Sequence, residues 1–205
     1  MHLSDGVLPT AVAVGSFVAS GLCVAVSLKK TDPDNLPKIA VMTSAFFVAS
    51  LIHVPLGPTS VHLLLPGLVG ILTGWSAFLS IFLGLVLQSL LFQFGGLTAL
   101  GANGLMMGLP AWCAAWLYRR ASGRQGKGMP VVAALASGTA VALAALILAA
   151  LLATGGEDFF GVAKIAILAH VPVLVVEGVV SAFVVGFLQK VKPELLWAPM
   201  ERRGA

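Results

Sequence analysis

Residues 129–153 read MPVVAALASGTAVALAALILAALLA, without one charged side chain. A helix of that length spans about 37 Å at ~1.5 Å per residue, more than the roughly 30 Å of a bilayer's hydrocarbon core. Inside lipid a spanning backbone must satisfy its own hydrogen bonds, and a single long apolar run does so only as a helix. The rest of the chain repeats the pattern. Apolar runs cover about Val7–Leu28, Ile39–Val54, Val61–Thr73, Trp75–Phe92, a fifth run ending at Tyr118, and Gly161–Leu188. The expected fold class is an all-α polytopic membrane protein of about seven transmembrane helices. Val61–Thr73 is the short member: at ~1.5 Å per residue it covers roughly 20 Å. The Pro/Gly-rich PLGPTSV before it reads as non-helical backbone, tolerated at depth only where protein or a cavity shelters it.

Composition supports lipid as the solvent. Of 205 residues, 59% are hydrophobic and 10% charged, against about 45–50% and about 25% in soluble domains. No segment is polar and long enough for a separate soluble domain. The expectation is one transmembrane domain, 1–189, and a cytoplasmic tail, 190–205. The net charge of +4 does not point to nucleic acid, because the basic residues sit in short loops between runs. Cys23 and Cys113 both lie in apolar stretches without a CxxC spacing, and read as packing residues.

Charge sets the expected orientation. Lys29, Lys30 and Lys38 share one loop; Arg119, Arg120, Arg124 and Lys127 share a second; Lys190, Lys192, Arg202 and Arg203 fall in the tail. Eleven of the twelve basic residues are therefore in three places, which belong in the cytoplasm. Asp5, Glu157 and Asp158 fall on the other side. An odd number of crossings must then separate Val54 from Arg119, and three fits the length. The N-terminus is expected outside and the C-terminus in the cytoplasm.

The chemistry is concentrated at the start, MHLSDGVLP. The segment lacks the positive region of a cleaved signal peptide, and the bulky His2 protects Met1 from trimming, so the mature chain is expected to begin at Met1. The terminal amine, the His2 backbone nitrogen and the His2 imidazole can chelate one metal through two fused rings. One further imidazole completes four nitrogens in a plane, the geometry preferred by Ni(II), with Cu(II) as the other candidate. His53, His62 and His170 are the remaining histidines. His62 opens an apolar run after an outer loop, as ligand or as polar cap. His53 reads as an alternative ligand or as a group orienting His2 or His62, with Thr59 and Ser60 as hydrogen-bonding or loop-capping neighbours.

Other polar residues stand inside apolar runs. His170 and Glu177, seven residues apart, share one helix face and form, with Asn103, a possible intramembrane polar site. The alternative is a structural pair, and Asn103, Gln88 and Gln93 also read as hydrogen-bond partners between helices. Ala11, Gly15 and Ala19 recur every four residues, which permits close helix contact, within the bundle or with a partner membrane protein.

MHLSDGVLP, HVPLGPTSVHLLLPGLVGILTG, LFQFGGLTALGANGLMMGLP and AHVPVLVVEG together resemble the CbiM/NikM family, the substrate-capturing S components of cobalt and nickel energy-coupling-factor transporters. The likeness extends to about Gln189. It implies a metal site of Met1, His2 and His62, with Ni2+ or Co2+ as the transported ligand and no prosthetic group. The implied partners are a transmembrane coupling subunit, two ATP-binding subunits and often a small accessory membrane protein, all in a prokaryotic cell membrane. This chain has no GxxxxGK[ST] phosphate loop, so ATP hydrolysis would fall to those partners. A planar nitrogen set suits nickel over cobalt, and the family holds members of both kinds. The rival readings are a free-standing metal permease, a membrane metalloenzyme and a scaffold. An enzyme would need an open metal position and a poised base, and no HExxH is present.

Overall fold

The computed structural model describes residues 2–51, 53–56, 59–122 and 129–196, with backbone only at 53–56, 59–61 and 122. Among these, seven α-helices are joined to a small sheet. In chain order they are β1 (His2–Leu3), α1 (Thr10–Lys30), α2 (Leu36–Leu51), β2 (His53–Leu56), β3 (Thr59–His62), α3 (Pro66–Thr73), α4 (Ala77–Phe92), α5 (Leu100–Ser122), α6 (Met129–Ala153) and α7 (Phe160–Val191). By length and composition four helical stretches could cross a membrane: 10–30, 129–153, 157–191, and 66–92, which takes α3, its turn and α4 together.

The fold is helical as expected, with one addition and one change. The addition is a three-stranded antiparallel sheet, β1, β3 and β2 in that spatial order. The run expected as a helix from Val61 is strand as far as His62, and α3 begins only at Pro66. Pro66 cannot donate a ladder hydrogen bond and has φ preset for a first helical turn, so it marks that start. Of PLGPTSV, Gly57 and Pro58 lie outside the described residues, and the flanks are β2 and β3. Arg124, Lys127, Arg202 and Arg203 also lie outside them.

α3 is the centre of the bundle, and all eight of its residues are buried. Its glycines allow this. A Cβ on Gly70 would collide with the Ala111 carbonyl of α5, and one on Gly67 with Ser137 of α6. Behind α3, the buried face of α6 is largely alanine, at 133, 136, 140 and 144. Small residues let neighbouring backbones approach where lipid offers no hydrophobic drive to associate, and Gly178 of α7 lies against the Ala134 carbonyl. The opposite faces of α1 and α7 expose Val14, Val18, Leu22, Leu168, Val175 and Phe183, apolar groups suited to lipid rather than water.

Side-chain bonds fix the helix directions. α3 starts beside the sheet and ends at a turn, Gly74–Ser76, at the far end of α1. There Ser27 Oγ donates to the Trp75 carbonyl (2.8 Å), Thr31 Oγ1 and Ser76 Oγ are hydrogen-bonded (2.8 Å), and Lys30 Nζ lies 3.4 Å over the Trp75 ring. α4 returns, bringing Gln88 back to the sheet end beside His2. α5 leaves that end again from Asn103, near Leu3, and puts Trp112 Nε1 on the Trp75 carbonyl (2.9 Å). The short α3 therefore reverses direction against α4 instead of extending it.

Candidate metal centre

The N-terminal strand is held from three sides. β1 pairs with β3 in the register His2 opposite Ser60 and Leu3 opposite Thr59. On its other edge an amide takes the place of a strand. Leu3 N–H donates to Asn103 Oδ1 (2.8 Å) while Asn103 Nδ2 donates to the Leu3 carbonyl (3.1 Å) and to the Gly95 carbonyl (3.0 Å). The Leu3 side chain is fully buried below. Further on, Asp5 Oδ1 accepts from Thr98 N (2.8 Å) and Thr98 Oγ1 (2.5 Å), and these bonds hold its carboxyl below the ordinary range.

The loop under this strand must be glycine. Gly95 and Gly96 have φ of +79° and +64°, values an L side chain adopts only under strain. A Cβ on Gly95 would lie 2.8 Å from His2 Cδ2, and one on Gly96 would collide with the Asp5 carboxylate.

So anchored, His2 is buried at 5% exposure beside His62 at 3%. The rings are 4.7 Å apart at their centroids and tilted by 30°, with His62 Nε2 3.1 Å from His2 Nδ1. Their outer nitrogens are engaged: His2 Nε2 with Gln88 Oε1 (2.6 Å), and His62 Nδ1 with the Leu63 carbonyl (2.8 Å). Both rings are enclosed by protein and shut off from water. Two imidazole nitrogens converge on one point from different elements, β1 and β3.

The other expected site residues fall around this pair. Met1 lies outside the described residues. His53 pairs backbone-to-backbone with His62 across β2 and β3, while Ser60 and Thr59 are the β3 partners of His2 and Leu3. His170 and Glu177 are both buried on α7 but serve different neighbours. His170 Nδ1 donates to the Ala166 carbonyl one turn back (2.5 Å). Glu177 Oε1 accepts from Leu64 N–H and, at 2.7 Å, from Leu65 N–H. Two successive N–H groups converging on a carboxylate form a nest at the start of α3, where negative charge is favoured. Leu65 takes the left-handed conformation, φ +52°, to make it. Glu177 thus fixes the backbone two residues beyond His62. Asn103 does the same for Leu3. Ala11 and Gly15 of α1 are exposed and Ala19 half-buried, and nothing in the chain approaches a Cβ built on Gly15.

Sequence reading missed Gln88 and Ser50 as site residues. Gln88 Nε2 donates to Ser50 Oγ (2.5 Å), and Ser50 Oγ donates to the Phe47 carbonyl (2.7 Å). The available signal was Gln88 itself, an amide in the otherwise apolar α4, fully buried here. Among the described residues no group of three or more His, Cys, Asp and Glu side chains could hold a metal.

Comparison with known proteins places the chain among metal transport proteins. The chain is 35% identical to a Haemophilus influenzae protein named for metal transport, over 96% of this chain and 97% of that one. It is 30% identical to the fused nickel transport protein NikMN of Rhodobacter capsulatus, covering 96% of this chain and 64% of the relative. The fold matches a crystal structure of a transition metal transporter with a TM-score of 0.83 and 28% identity, over 93% of both chains. Residues 2–195 match the family model described as the cobalt uptake substrate-specific transmembrane region, and the chain therefore belongs to the CbiM family of cobalt and nickel transport proteins.

Proposed function

We propose that this chain is the metal-capturing S component of an ATP-driven, energy-coupling-factor importer for Ni2+ or Co2+. Its ligands are the Met1 amine, the His2 backbone nitrogen, His2 Nδ1 and His62 Nε2. The observation that carries the reading is the 3.1 Å separation of His2 Nδ1 and His62 Nε2. With metal–imidazole bonds of about 2.0–2.1 Å, neighbouring corners of a square plane lie about 2.9 Å apart. The two nitrogens already stand close to one edge of such a square. Met1 and the His2 backbone nitrogen follow from covalent continuity, because a chelate through His2 Nδ1 closes through its own main chain.

The steps follow from these groups. Metal arrives from outside and displaces protons from the Met1 amine and the His2 amide. The imidazoles contribute neutral nitrogen. Asn103, Asp5 and β3 keep the N-terminal strand in place, and Glu177 keeps the segment after His62 in place. Seven helical passes, with the N-terminus outside and the tail in the cytoplasm, put this end of the bundle on the exterior of the cell membrane. His53, Thr59 and Ser60 complete the surroundings. Release inward is coupled to partners: a transmembrane coupling subunit docking on Ala11, Gly15 and Ala19, two ATP-binding subunits, and a small accessory membrane protein. Fusion in the NikMN relative supports at least one further component.

The test is Ni2+ and Co2+ binding by the purified chain with native Met1 and by a version carrying one extra residue ahead of it. The extension changes no side chain but takes the amine out of the chelate. Loss of tight binding supports the site. Unchanged binding sinks it.

A further inference from the structure

The two nitrogens that face each other are defined by what stands behind them. Ser50 gives its one hydroxyl proton to the Phe47 carbonyl, which can only accept (2.7 Å). The Ser50 oxygen then accepts from the Gln88 amino group (2.5 Å). Gln88 consequently presents its oxygen to His2, 2.6 Å from Nε2. An amide oxygen only accepts, so His2 Nε2 carries a ring proton, and in the neutral ring Nδ1 then keeps its lone pair. The same logic at His62 runs from the Leu63 carbonyl: Nδ1 donates, and Nε2 keeps its lone pair. Two lone pairs therefore meet at 3.1 Å. They repel each other, and a cation between them removes the repulsion.

We propose that Gln88, oriented by Ser50, is a positioning residue that fixes the His2 tautomer and so keeps the Nδ1 lone pair directed at the metal position. The inference rests on the reading of His2 and His62 as ligands. Gln88 touches no metal and acts only through His2. Ser50 and Gln88 are fully buried, and the half-buried Phe47 belongs to the same turn of α2 as Ser50. The reversed setting, which the Ser50 relay disfavours, would have the opposite effect. A reversed Gln88 amide would offer a donor to His2 Nε2, move the ring proton to Nδ1, and close the site with an Nδ1–H bond to His62. Metal would then have to expel that proton and reverse the amide.

The experiment uses the full chain in detergent with 15N-labelled histidine, without metal and then with Ni2+ alone. Nitrogen shifts identify which ring atom is protonated. In the metal-free native chain His2 Nδ1 should resonate as a lone-pair nitrogen. A protonated Nδ1 overturns the proposal. Two variants give an independent readout. Gln88→Glu keeps an acceptor against Nε2 and should bind Ni2+ within a few-fold of native. Gln88→Met has similar length but no acceptor, and should lose roughly 10–100-fold in affinity, the usual cost of removing a group that supports a metal-bound histidine. A role in packing alone predicts the reverse order, because Met suits a buried apolar site and a carboxylate does not; that order also overturns the proposal. The Met1 extension separates the two levels. If it abolishes binding while the Gln88 order fails, the relay alone is wrong. If binding survives the extension, the ligand assignment is wrong.

Discussion

His62 Nε2 lies 3.1 Å from His2 Nδ1, although sixty residues separate them in the chain. One ring comes from the first strand and the other from the last residue of β3, directly before the buried α3. The pair belongs to neither element alone. It exists because the N-terminus is folded back as an edge strand.

His62→Ala removes one of the two converging nitrogens while leaving β3 backbone pairing available. Ni2+ affinity should fall by more than the roughly 10–100-fold typical of losing a supporting group. The visible absorption of bound nickel should move to longer wavelength as the ligand field weakens. Native affinity in this variant would remove His62 from the site.

Asn103→Ala deletes the amide that substitutes for a strand beside Leu3. It leaves the buried Leu3 N–H and carbonyl short of partners, at about 1–3 kcal/mol for such groups. The loss is confined to the N-terminal segment, so amide exchange should accelerate at Leu3 and not in α6. Metal dissociation should quicken in parallel. Uniform acceleration across the bundle would instead make Asn103 a general core residue.

Asp5 supplies a pH-dependent latch. Hydrogen bonds from Thr98 hold its folded pKa below the ordinary carboxylate value. A carboxyl depressed in this way contributes stability above its unfolded pKa of about 3.9, and the contribution is lost as pH falls through the lower folded value. Exchange protection of residues 3–8 should therefore be constant from neutral pH to about pH 4 and decline below it. Asp5→Asn should flatten that decline, with protection already reduced at pH 7. Asp5 is exposed, so solvent moderates the effect.

Gly70→Ala and Gly15→Ala form a matched pair. A methyl at Gly70 meets the Ala111 carbonyl, whereas one at Gly15 meets nothing. Overpacking at Gly70 should cost about 1–3 kcal/mol. Gly15→Ala should stay within about 0.5 kcal/mol. Thermal unfolding in one detergent compares them, and equal melting points would contradict the central placement of α3. A larger side chain, Gly15→Leu, should leave Ni2+ binding by the isolated chain unchanged. It should reduce uptake in cells expressing the whole transporter if α1 is the docking face. Undiminished uptake would place that face against lipid.

The sequence by itself determined the class. Uncharged runs such as 129–153 admit only helices in lipid, and the helix at Met129–Ala153 has the expected bounds. It also pointed to the start, because the chelate proposed at Met1-His2 is a local arrangement that needs no fold to be recognised. Two kinds of feature were not legible. Strand pairing of His2 and Leu3 with β3 is a long-range contact between a two-residue segment and a hairpin, too short to carry periodicity. The roles of Gln88, Ser50, Asn103 and Glu177 were equally hidden. Each reads as a lone polar residue in an apolar helix, and its chemistry depends on which atom across the bundle it meets. Glu177 looked like a partner for His170 because both share a helical face. Tertiary structure turned it toward the Leu64 and Leu65 amides, where a helix start supplies unsatisfied donors. Composition and period fix what a segment is. Which nitrogen of a buried histidine keeps its lone pair is decided only by the neighbours that folding brings to the other one.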